Sequence, residues 1–502
     1  MPYNIFRPAQ LVAVVALGTL STLALAGSMT FEAPSDAGPE LAVLTDRLDR
    51  DEPLIMAALN VPGAAVAVVR DGDNVWSTGY GLASVREGTE VSADTVFQVG
   101  SVSKTLTAWG VMHLVETGQV SLDAPIESYL TRWTFPPSAY DSSGVTVSRV
   151  LSHTAGLNRV DGYPLPGDQP LPSLEEHLDG NNGGGQSLRI ETEPGQQFTY
   201  ANAGYTLLQL MIEEVTGQRF SDYMQEVILD PLGMTDSTFD PDRVPRQATG
   251  YYPNGVPLPH YRLTEQAAGG LYSTANDLAL LVAASIPSSD GRTAGRGVLT
   301  SDSVHTMMAG RNMPDGSVVS FGHLHDHLDG GLAATGNNGH TEGWIANMVM
   351  IPELGEGIVI LTNGDTESTG LTLRAWTQWL GVSETSTTQI AVGDLDEPRT
   401  ALLGGAAVVF IGVLVVIIVT AVQARRGNRR WVWQTGPTTS RLFAIRGTVA
   451  ALAIGGLIAF LVWPERQVYV AVLPAEAATV LAAVALAVAA VVLRASTRRA
   501  SK

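Results

Sequence analysis

The chain has no cysteine and almost no lysine. None of its 502 residues is cysteine, which excludes disulfides, thiolate metal ligands and a cysteine nucleophile. Of its 30 basic residues, 28 are arginine, and the two lysines are Lys104 and Lys502. Arginine keeps its proton near neutral pH, whereas a lysine becomes a usable base when burial and neighbouring charge lower its pKa. The isolated Lys104 is therefore a candidate for proton transfer.

Charge is divided unevenly along the chain. Residues 27–400 carry 18 basic and 47 acidic side chains, whereas residues 401–502 carry 11 basic and 2 acidic ones. Nucleic-acid binding requires clustered arginine and lysine, so the acidic part is not expected to bind nucleic acid. The length allows one large or two ordinary domains, and solubility is the simplest reason for the acidic surface.

The first residues resemble an export signal. Arg7 is followed by an apolar run from Leu11 to Ala26 that ends in small residues before Gly27. This order predicts a signal peptide over residues 1–26, with an uncleaved anchor as the alternative. Residues 27–40 are then expected to be a flexible lead-in, and residues 386–400 a linker.

The C-terminal part contains long apolar stretches of a length that spans a bilayer. They cover residues 401–422, 447–463 and 471–492. Arginines fill the loop between the first two stretches and basic residues follow the last, whereas residues 464–470 contain a single arginine. By the positive-inside rule the first loop and the C-terminus are cytoplasmic. We therefore expect a multi-pass protein of the cell membrane, with residues 27–400 extracytoplasmic.

Short β-rich runs occur near both ends of the acidic part. Ala64 to Arg70 and Asn74 to Tyr80 predict one hairpin, and Ala346 to Ile351 and Gly357 to Thr362 predict a second pair of strands. The sequence between the two pairs is mostly helical in pattern. This arrangement predicts one α+β domain over residues 41–385, with an antiparallel sheet to which both ends contribute and a helical region beside it. A three-helix transmembrane region would follow.

Ser101 and Lys104 form an S-x-x-K pattern at the start of a helix-like stretch from Val102 to Thr117. Residues three apart on a helix are neighbours, so the serine hydroxyl and the lysine amine would lie on one side. A lysine in a dry pocket can accept the serine proton, and a helix N-terminus favours negative charge on a substrate oxygen. Alone the pattern is weak, because serine is a common N-cap and lysine a common helix-surface residue.

Two further patterns strengthen it. Tyr200 and Asn202 precede a predicted helix from Ala203 to Thr216; a tyrosine beside a lysine can relay a proton, and an asparagine amide can bind a carbonyl. Each residue alone also fits a buried aromatic or a helix N-cap. The run from Gly339 to Trp344 directly precedes the second strand pair, where its backbone could donate an N–H to an oxyanion.

These elements, in this order, resemble the serine β-lactamase and penicillin-binding-protein superfamily, specifically its class C-like branch of β-lactamase-related serine hydrolases. The runs Val147 to Leu157 and Ala268 to Leu278 are also similar to that branch. The resemblance implies an α+β fold with a cleft between sheet and helices, and no metal or cofactor. The site residues that it implies are Ser101 as nucleophile, Lys104 and Tyr200 as general base and acid, and Asn202, His340, Thr341 and Gly343 as substrate contacts.

The third pattern departs from the family. Where relatives have K-T-G or H-x-G, this chain has His340, Thr341, Glu342 and Gly343. The amide of Ser101 would be one oxyanion donor, and Gly343 is the expected second donor. An imidazole in place of a permanent cation is expected to weaken recognition of a substrate carboxylate at neutral pH.

Other histidines have simpler interpretations. His323, His325 and His327 lie close together, but no second ligand cluster accompanies them, and we interpret the segment as a solvated loop rather than a zinc site. His153 is interpreted as a structural histidine.

The sequence therefore predicts a membrane-anchored extracytoplasmic serine hydrolase. It would act through an acyl-enzyme on a small-molecule or peptide substrate, which is an ester, a D-amino-acid peptide or a β-lactam. The alternative is a receptor for penicillin or cell-wall peptide that is acylated or occupied without efficient turnover. A catalytically silent relative is a third possibility, which the presence of Lys104 disfavours. No protein partner is indicated.

Overall fold

The computed structural model describes residues 40–382, except for 161, 163, 168, 183, 245, 246, 365 and 367, together with residues 422, 429–431 and 497–499. Residues 40–382 belong to one compact unit. The remaining described residues belong to a second unit, in which strands Arg429–Trp431 and Thr497–Arg499 pair in antiparallel fashion. The signal, the linker and the three apolar stretches, apart from Val422, lie outside the described residues.

An antiparallel sheet of seven strands forms the core of the larger unit. Its order is β10-β11-β12-β13-β1-β2-β3, so the N-terminal hairpin lies beside the C-terminal strands. The strands have these bounds: β1 Gly63–Arg70, β2 Asp73–Ser84, β3 Thr89–Glu90, β10 Leu324–His327, β11 Ala333–Thr341, β12 Trp344–Ile351 and β13 Glu356–Thr362. Two-residue strands pair elsewhere: β4 Phe97–Gln98 with β7 Tyr272–Ser273, β5 Leu165–Pro166 with β6 Tyr261–Arg262, and β8 Arg311–Asn312 with β9 Val318–Val319.

Helices cover both faces of this sheet. They have these bounds: α1 Leu41–Leu59, α2 Ser103–Glu116, α3 Val147–Leu151, α4 Leu174–Leu178, α5 Asn202–Thr216, α6 Phe220–Met224, α7 Asp230–Leu232, α8 Gln266–Gly269, α9 Ala275–Ser285, α10 Ser301–Met308 and α11 Thr369–Trp379. One face packs against α1 and α11, and the other against the larger helical region around α2. Nearly every side chain of α2 up to Met112 is buried, as expected for a central helix.

The central strand β1 shows why the sheet needs two covering layers. Ala65, Ala67 and Val69 belong to the apolar core on the helical side, whereas Val66 and Val68 belong to the core under α1 and α11. Successive strand residues point to opposite faces, so a strand that is apolar throughout is stable only between two layers.

The structure confirms the predicted α+β class and both predicted strand pairs. The first hairpin joins β1 and β2, and the second pair is β12 with β13. Among the described residues, no helix is long and apolar enough to cross a membrane. That finding covers only the part of the chain described above.

The interpretation of residues 323–327 as a solvated loop is wrong. Leu324 to His327 form β10, which pairs with β11, and His323 and His325 are buried. Burial lowers the pKa of each of these two histidines to about 4, because an interior site disfavours the charged imidazole. In the described part of the chain, no three His, Asp or Glu side chains converge as metal ligands would.

Glu52 is a buried acid between α1 and α11. Its side chain is almost inaccessible, and its Oε2 accepts a hydrogen bond of 2.7 Å from Thr372 Oγ1, while Oε1 has no hydrogen-bond partner among the described residues. Burial raises the pKa of Glu52 to about 7. Between about pH 4.5, the ordinary pKa of the side chain, and about pH 7, the folded protein therefore keeps a proton on Glu52 that the unfolded chain has released.

We expect Glu52→Gln to remove a pH-dependent loss of stability. In the wild type, stability should fall as pH rises from about 4.5 through 7, by roughly 3 kcal/mol in all, because ionisation leaves a charge in the core. The variant should therefore gain thermal stability over the wild type as pH rises through this window. Melting temperatures of both proteins across the pH range test this. Asp51→Asn, at the partly exposed neighbouring position, is the control, and a constant difference between Glu52→Gln and wild type would contradict the assignment.

Candidate active site

The chain presents Ser101 in a tight turn between β4 and α2. Residues Gly100–Val102 form a single 3₁₀ turn, and Gly100 has a φ of 50°. A Cβ on Gly100 would lie 2.8 Å from the backbone nitrogen of His340, so this position requires glycine. Ser103 Oγ donates to Gly100 O at 2.6 Å and accepts from the Leu271 N–H at 3.0 Å. These bonds fix the turn that carries Ser101.

The Ser101 hydroxyl lies between an amine and a phenol. Lys104 Nζ is 3.0 Å and Tyr200 OH is 2.7 Å from Ser101 Oγ. Lys104 lies one helical turn after Ser101 and is 1% exposed. The structure thus brings together the three residues that the sequence predicted as nucleophile, base and acid, at distances that suit transfer of the serine proton. Their roles stay a prediction.

Other groups hold the lysine. Lys104 Nζ donates to the carbonyl oxygen of Ala268 at 2.7 Å. The same nitrogen lies 4.9 Å from the ring centroid of Tyr200 and 5.6 Å from that of Tyr205. A cation at these distances is attracted by an aromatic face. The amine is thus aimed at Ser101 by a carbonyl on α8 and by two rings, a set of contacts that the sequence did not indicate.

Asn202 is the first residue of α5 and follows Tyr200 by two positions. The helix is preceded by Ala201, so Asn202 is not its N-cap. Asn202 therefore begins the helix two residues after Tyr200. Its contact with substrate stays a prediction.

Strand β11 approaches the nucleophile at Gly339 and His340. A Cβ on Gly339 would overlap the Val99 carbonyl oxygen and would lie 3.0 Å from the Ser101 backbone nitrogen. The strand can therefore reach the Ser101 turn only because residue 339 has no side chain.

The pairing of β11 with β12 orients the backbone of His340. Thr341 pairs with Trp344 around the two-residue turn Glu342–Gly343, and in such hairpins the closing pair exchanges hydrogen bonds. Backbone groups alternate along an antiparallel strand, so the N–H and C=O of His340 point away from β12. That edge of β11 is the one that faces Gly100 and Ser101.

Gly343 is not brought to Ser101. It lies in the turn with φ 82°, and a Cβ there would meet Leu258 and Tyr251. Gly343 lies four positions after Gly339, in the turn beyond the end of β11. The structure thus does not support Gly343 as an oxyanion donor, and the backbone N–H of His340, on the edge of β11 that faces the Ser101 turn, is the better candidate. Thr341 ends β11 on the far side of His340.

Strand β11 also carries a buried asparagine. Asn337 is buried, and its Nδ2 donates at 3.0 Å to the Gly322 carbonyl, which also accepts from Thr105 Oγ1 of α2 at 2.7 Å. Asn337 therefore ties β11 to the helix that carries Lys104. The sequence analysis did not identify Asn337. The feature that could have indicated it is the short turn after Thr341, because that turn places the residues that face the site earlier in the strand.

Comparison with known proteins agrees with this geometry. A family described as Beta-lactamase matches residues 48–382. The chain is similar to a human protein named putative beta-lactamase-like 1, with 26% identity over 73% of this chain and 74% of the relative. It is 33% identical to penicillin-binding protein 4 of Amycolatopsis lactamdurans over 37% of this chain and 47% of that protein.

Solved structures show the same fold. The octameric penicillin-binding protein homologue from Pyrococcus abyssi aligns with a TM-score of 0.57 and 27% identity, covering 67% of this chain and 77% of that one.

We expect Gly339→Ala to abolish activity, because the added Cβ would push β11 away from the Ser101 turn. A loss of about 100-fold or more in rate per active site is the expected size for a displaced oxyanion donor. Gly343→Ala should lower thermal stability, since residue 343 has a positive φ, but should retain the rate per active site. Ester hydrolysis, normalised by fluorophosphonate labelling, distinguishes them. Equal losses of rate in both variants would contradict this placement of the oxyanion site.

Proposed function

The chain belongs to the Beta-lactamase family, within the superfamily of serine β-lactamases and penicillin-binding proteins, and from this membership we propose that it hydrolyses a carbonyl substrate through an acyl-enzyme. The observation that carries the proposal is the Ser101 hydroxyl held at 3.0 Å from Lys104 Nζ and 2.7 Å from Tyr200 OH. A partly buried serine hydroxyl with two proton-transfer partners is an activated nucleophile.

In the proposed reaction Ser101 Oγ attacks the carbonyl carbon, and its proton passes to the Lys104 and Tyr200 pair. The oxyanion that forms accepts hydrogen bonds from the N–H groups of Ser101 and His340. Collapse breaks the bond to the leaving group, which takes a proton from the pair and leaves an ester on Ser101. Water then attacks that ester with the same pair as base, and the acid is released.

The charges near the site favour substrates without an essential carboxylate. Strand β11 from Ala333 to Thr341 contains no lysine or arginine, and Lys104 is engaged with Ser101 and Ala268. A substrate carboxylate would therefore have no permanent cation on this strand. Among the substrate classes of the family, we propose esters and amides, including those of D-amino acids, ahead of β-lactams.

Intact mass of a fragment covering residues 27–400 tests the acyl-enzyme. A fluorophosphonate should add one adduct to the wild type and none to Ser101→Ala. Lys104→Arg should keep its fold, checked by circular dichroism, but lose labelling, because arginine keeps the charge yet cannot accept the serine proton. Labelling of Lys104→Arg at the wild-type rate would contradict the role of the lysine as a base.

A penicillin added to the same fragment separates the candidate functions. An adduct that never forms, or forms slowly and decays, fits an esterase or amidase. A stable penicillin adduct without turnover would instead favour the receptor. No adduct with either reagent would contradict the acyl-enzyme altogether.

We propose further that the domain lies outside the cytoplasm and that the C-terminal apolar stretches anchor it in the membrane. The arginine-rich loop and the signal-like first residues support this proposal. Because the sequence contains no cysteine, single cysteines can be labelled without background.

The test uses a membrane-impermeant maleimide on intact spheroplasts. Val85 is 53% exposed in the domain, and Asn428 lies in the arginine-rich loop. Val85→Cys should react at once, and Asn428→Cys only after permeabilisation. The reverse pattern, or recovery of the full chain outside the membrane fraction, would contradict the proposed topology.

A further inference from the structure

His153 lies under the catalytic pair in a backbone conformation that few residues adopt. Its φ is 57°, and its side chain is buried. A positive φ is uncommon for a residue with a Cβ, because the Cβ then lies close to the following carbonyl oxygen. Strain of this kind is kept where the surrounding structure needs the side chain in one place.

The backbone and side chain of His153 hold the residues on both sides of Tyr200. Its carbonyl oxygen accepts from the Thr199 N–H at 2.8 Å, and its Nδ1 accepts from the Ala201 N–H at 3.2 Å. One residue thus fixes the peptide groups before and after the tyrosine. The left-handed φ is what turns the carbonyl and the ring of His153 toward the same segment.

The ring of His153 also supports the phenol ring. Its centroid lies 4.4 Å from that of Tyr200, with the planes 30° apart, and 5.2 Å from that of Tyr205, with the planes 36° apart. Tyr205 OH is in turn anchored on the Leu151 carbonyl at 2.8 Å. Rings stacked at these distances restrict each other's tilt. The direction of the Tyr200 hydroxyl therefore depends on His153.

The charge state of His153 suits this role. Burial, with a further effect of the Lys104 charge, lowers the pKa of His153 to about 3. The imidazole is then neutral at ordinary pH, and its Nδ1 lone pair remains available to Ala201. The bond from Ala201 assigns the proton of the ring to Nε2.

We propose that His153 is a positioning residue that holds the Tyr200 hydroxyl at Ser101 Oγ. This inference rests on the proposed acyl-enzyme chemistry. His153 would thus act in the reaction through Tyr200 and not by packing alone. Among the hydrogen bonds of the described residues, none joins the His153 side chain to Ser101.

Two substitutions separate the contributions of the ring and of the acceptor. His153→Asn tolerates the left-handed backbone and keeps a hydrogen-bond acceptor but loses the ring. His153→Phe keeps an aromatic face but loses the acceptor. His113→Asn is the matched control, because His113 also bonds a tyrosine, with Nδ1 3.0 Å from Tyr223 OH, and lies away from Ser101 along α2.

The readout is hydrolysis of p-nitrophenyl butyrate per active site, with active sites counted by fluorophosphonate labelling. Both His153 variants should lower kcat by about tenfold to a hundredfold while KM changes little, because a misplaced proton donor slows chemistry rather than binding. His113→Asn should keep the wild-type kcat. In a protein that already carries Tyr200→Phe, adding His153→Asn should lower kcat by less than about a further twofold. The reason is that the effect of His153 on kcat depends on the Tyr200 hydroxyl, which this protein lacks.

Each outcome decides the inference. If His153→Asn and His153→Phe lower only the melting temperature and the labelled fraction, with kcat per labelled site unchanged, the residue is purely structural. If the kcat losses of Tyr200→Phe and His153→Asn instead multiply in the double variant, the inference would also be overturned. A wild type that neither labels at Ser101 nor hydrolyses the ester would overturn the proposed function itself, a result seen before any His153 variant is compared.

Discussion

Placement of the Ser101 hydroxyl between Lys104 Nζ and Tyr200 OH is the requirement that the rest of this domain meets. The serine lies in the 3₁₀ turn that leads directly into α2, and the lysine lies in the first turn of α2, so their spacing follows from local helical geometry. The tyrosine comes from a segment about 100 residues later, and its position has to be set by packing. Burying an amine beside two hydroxyls is favourable only if its remaining protons are bonded, and the Ala268 carbonyl provides that bond.

The same requirement explains the close approach of β11 to α2. Gly339 permits the contact with the Ser101 turn, and Gly322 permits a second contact, because a Cβ on Gly322 would lie 2.7 Å from the Lys104 carbonyl oxygen. The Gly322 carbonyl accepts hydrogen bonds from both Thr105 and Asn337. The sheet and the helical region are thus joined by polar contacts at Gly322 as well as by apolar packing. A hydrophobic contact alone would leave their separation less precisely defined.

Sequence reasoning predicted the parts of this arrangement that depend on short spacing or on family resemblance. The Ser101 and Lys104 pair, the hairpin of β1 and β2, and the pairing of β12 with β13 are local features, and the structure contains them. The place where β11 meets Ser101 is different in kind. The position of this contact depends on the length of the turn after Thr341. A different turn length shifts the strand relative to α2 although the residues of the motif stay the same.

Two further differences have the same origin. The polar side chains of Leu324 to His327 suggested a solvent-exposed loop. The pairing with β11 and the layer above bury part of this strand. His153 looked like an ordinary structural residue because its φ and its two bonds to the Tyr200 segment depend on residues some 50 positions away. Such effects are tertiary, and one-dimensional patterns do not carry them.

The order of the strands has a consequence for biosynthesis. The central pairing joins Ala64 to Thr362, about 300 residues apart. Ribosomes add roughly 5–20 residues per second, so β1 waits for something like 15–60 s before its partner exists. During that time a strand with apolar side chains on both faces has β2 on one edge and nothing on the other. Unpaired strand edges with exposed apolar side chains are prone to aggregate, so a chaperone, or an export machinery that handles unfolded polypeptide, would protect such a nascent chain until its last strand has been made.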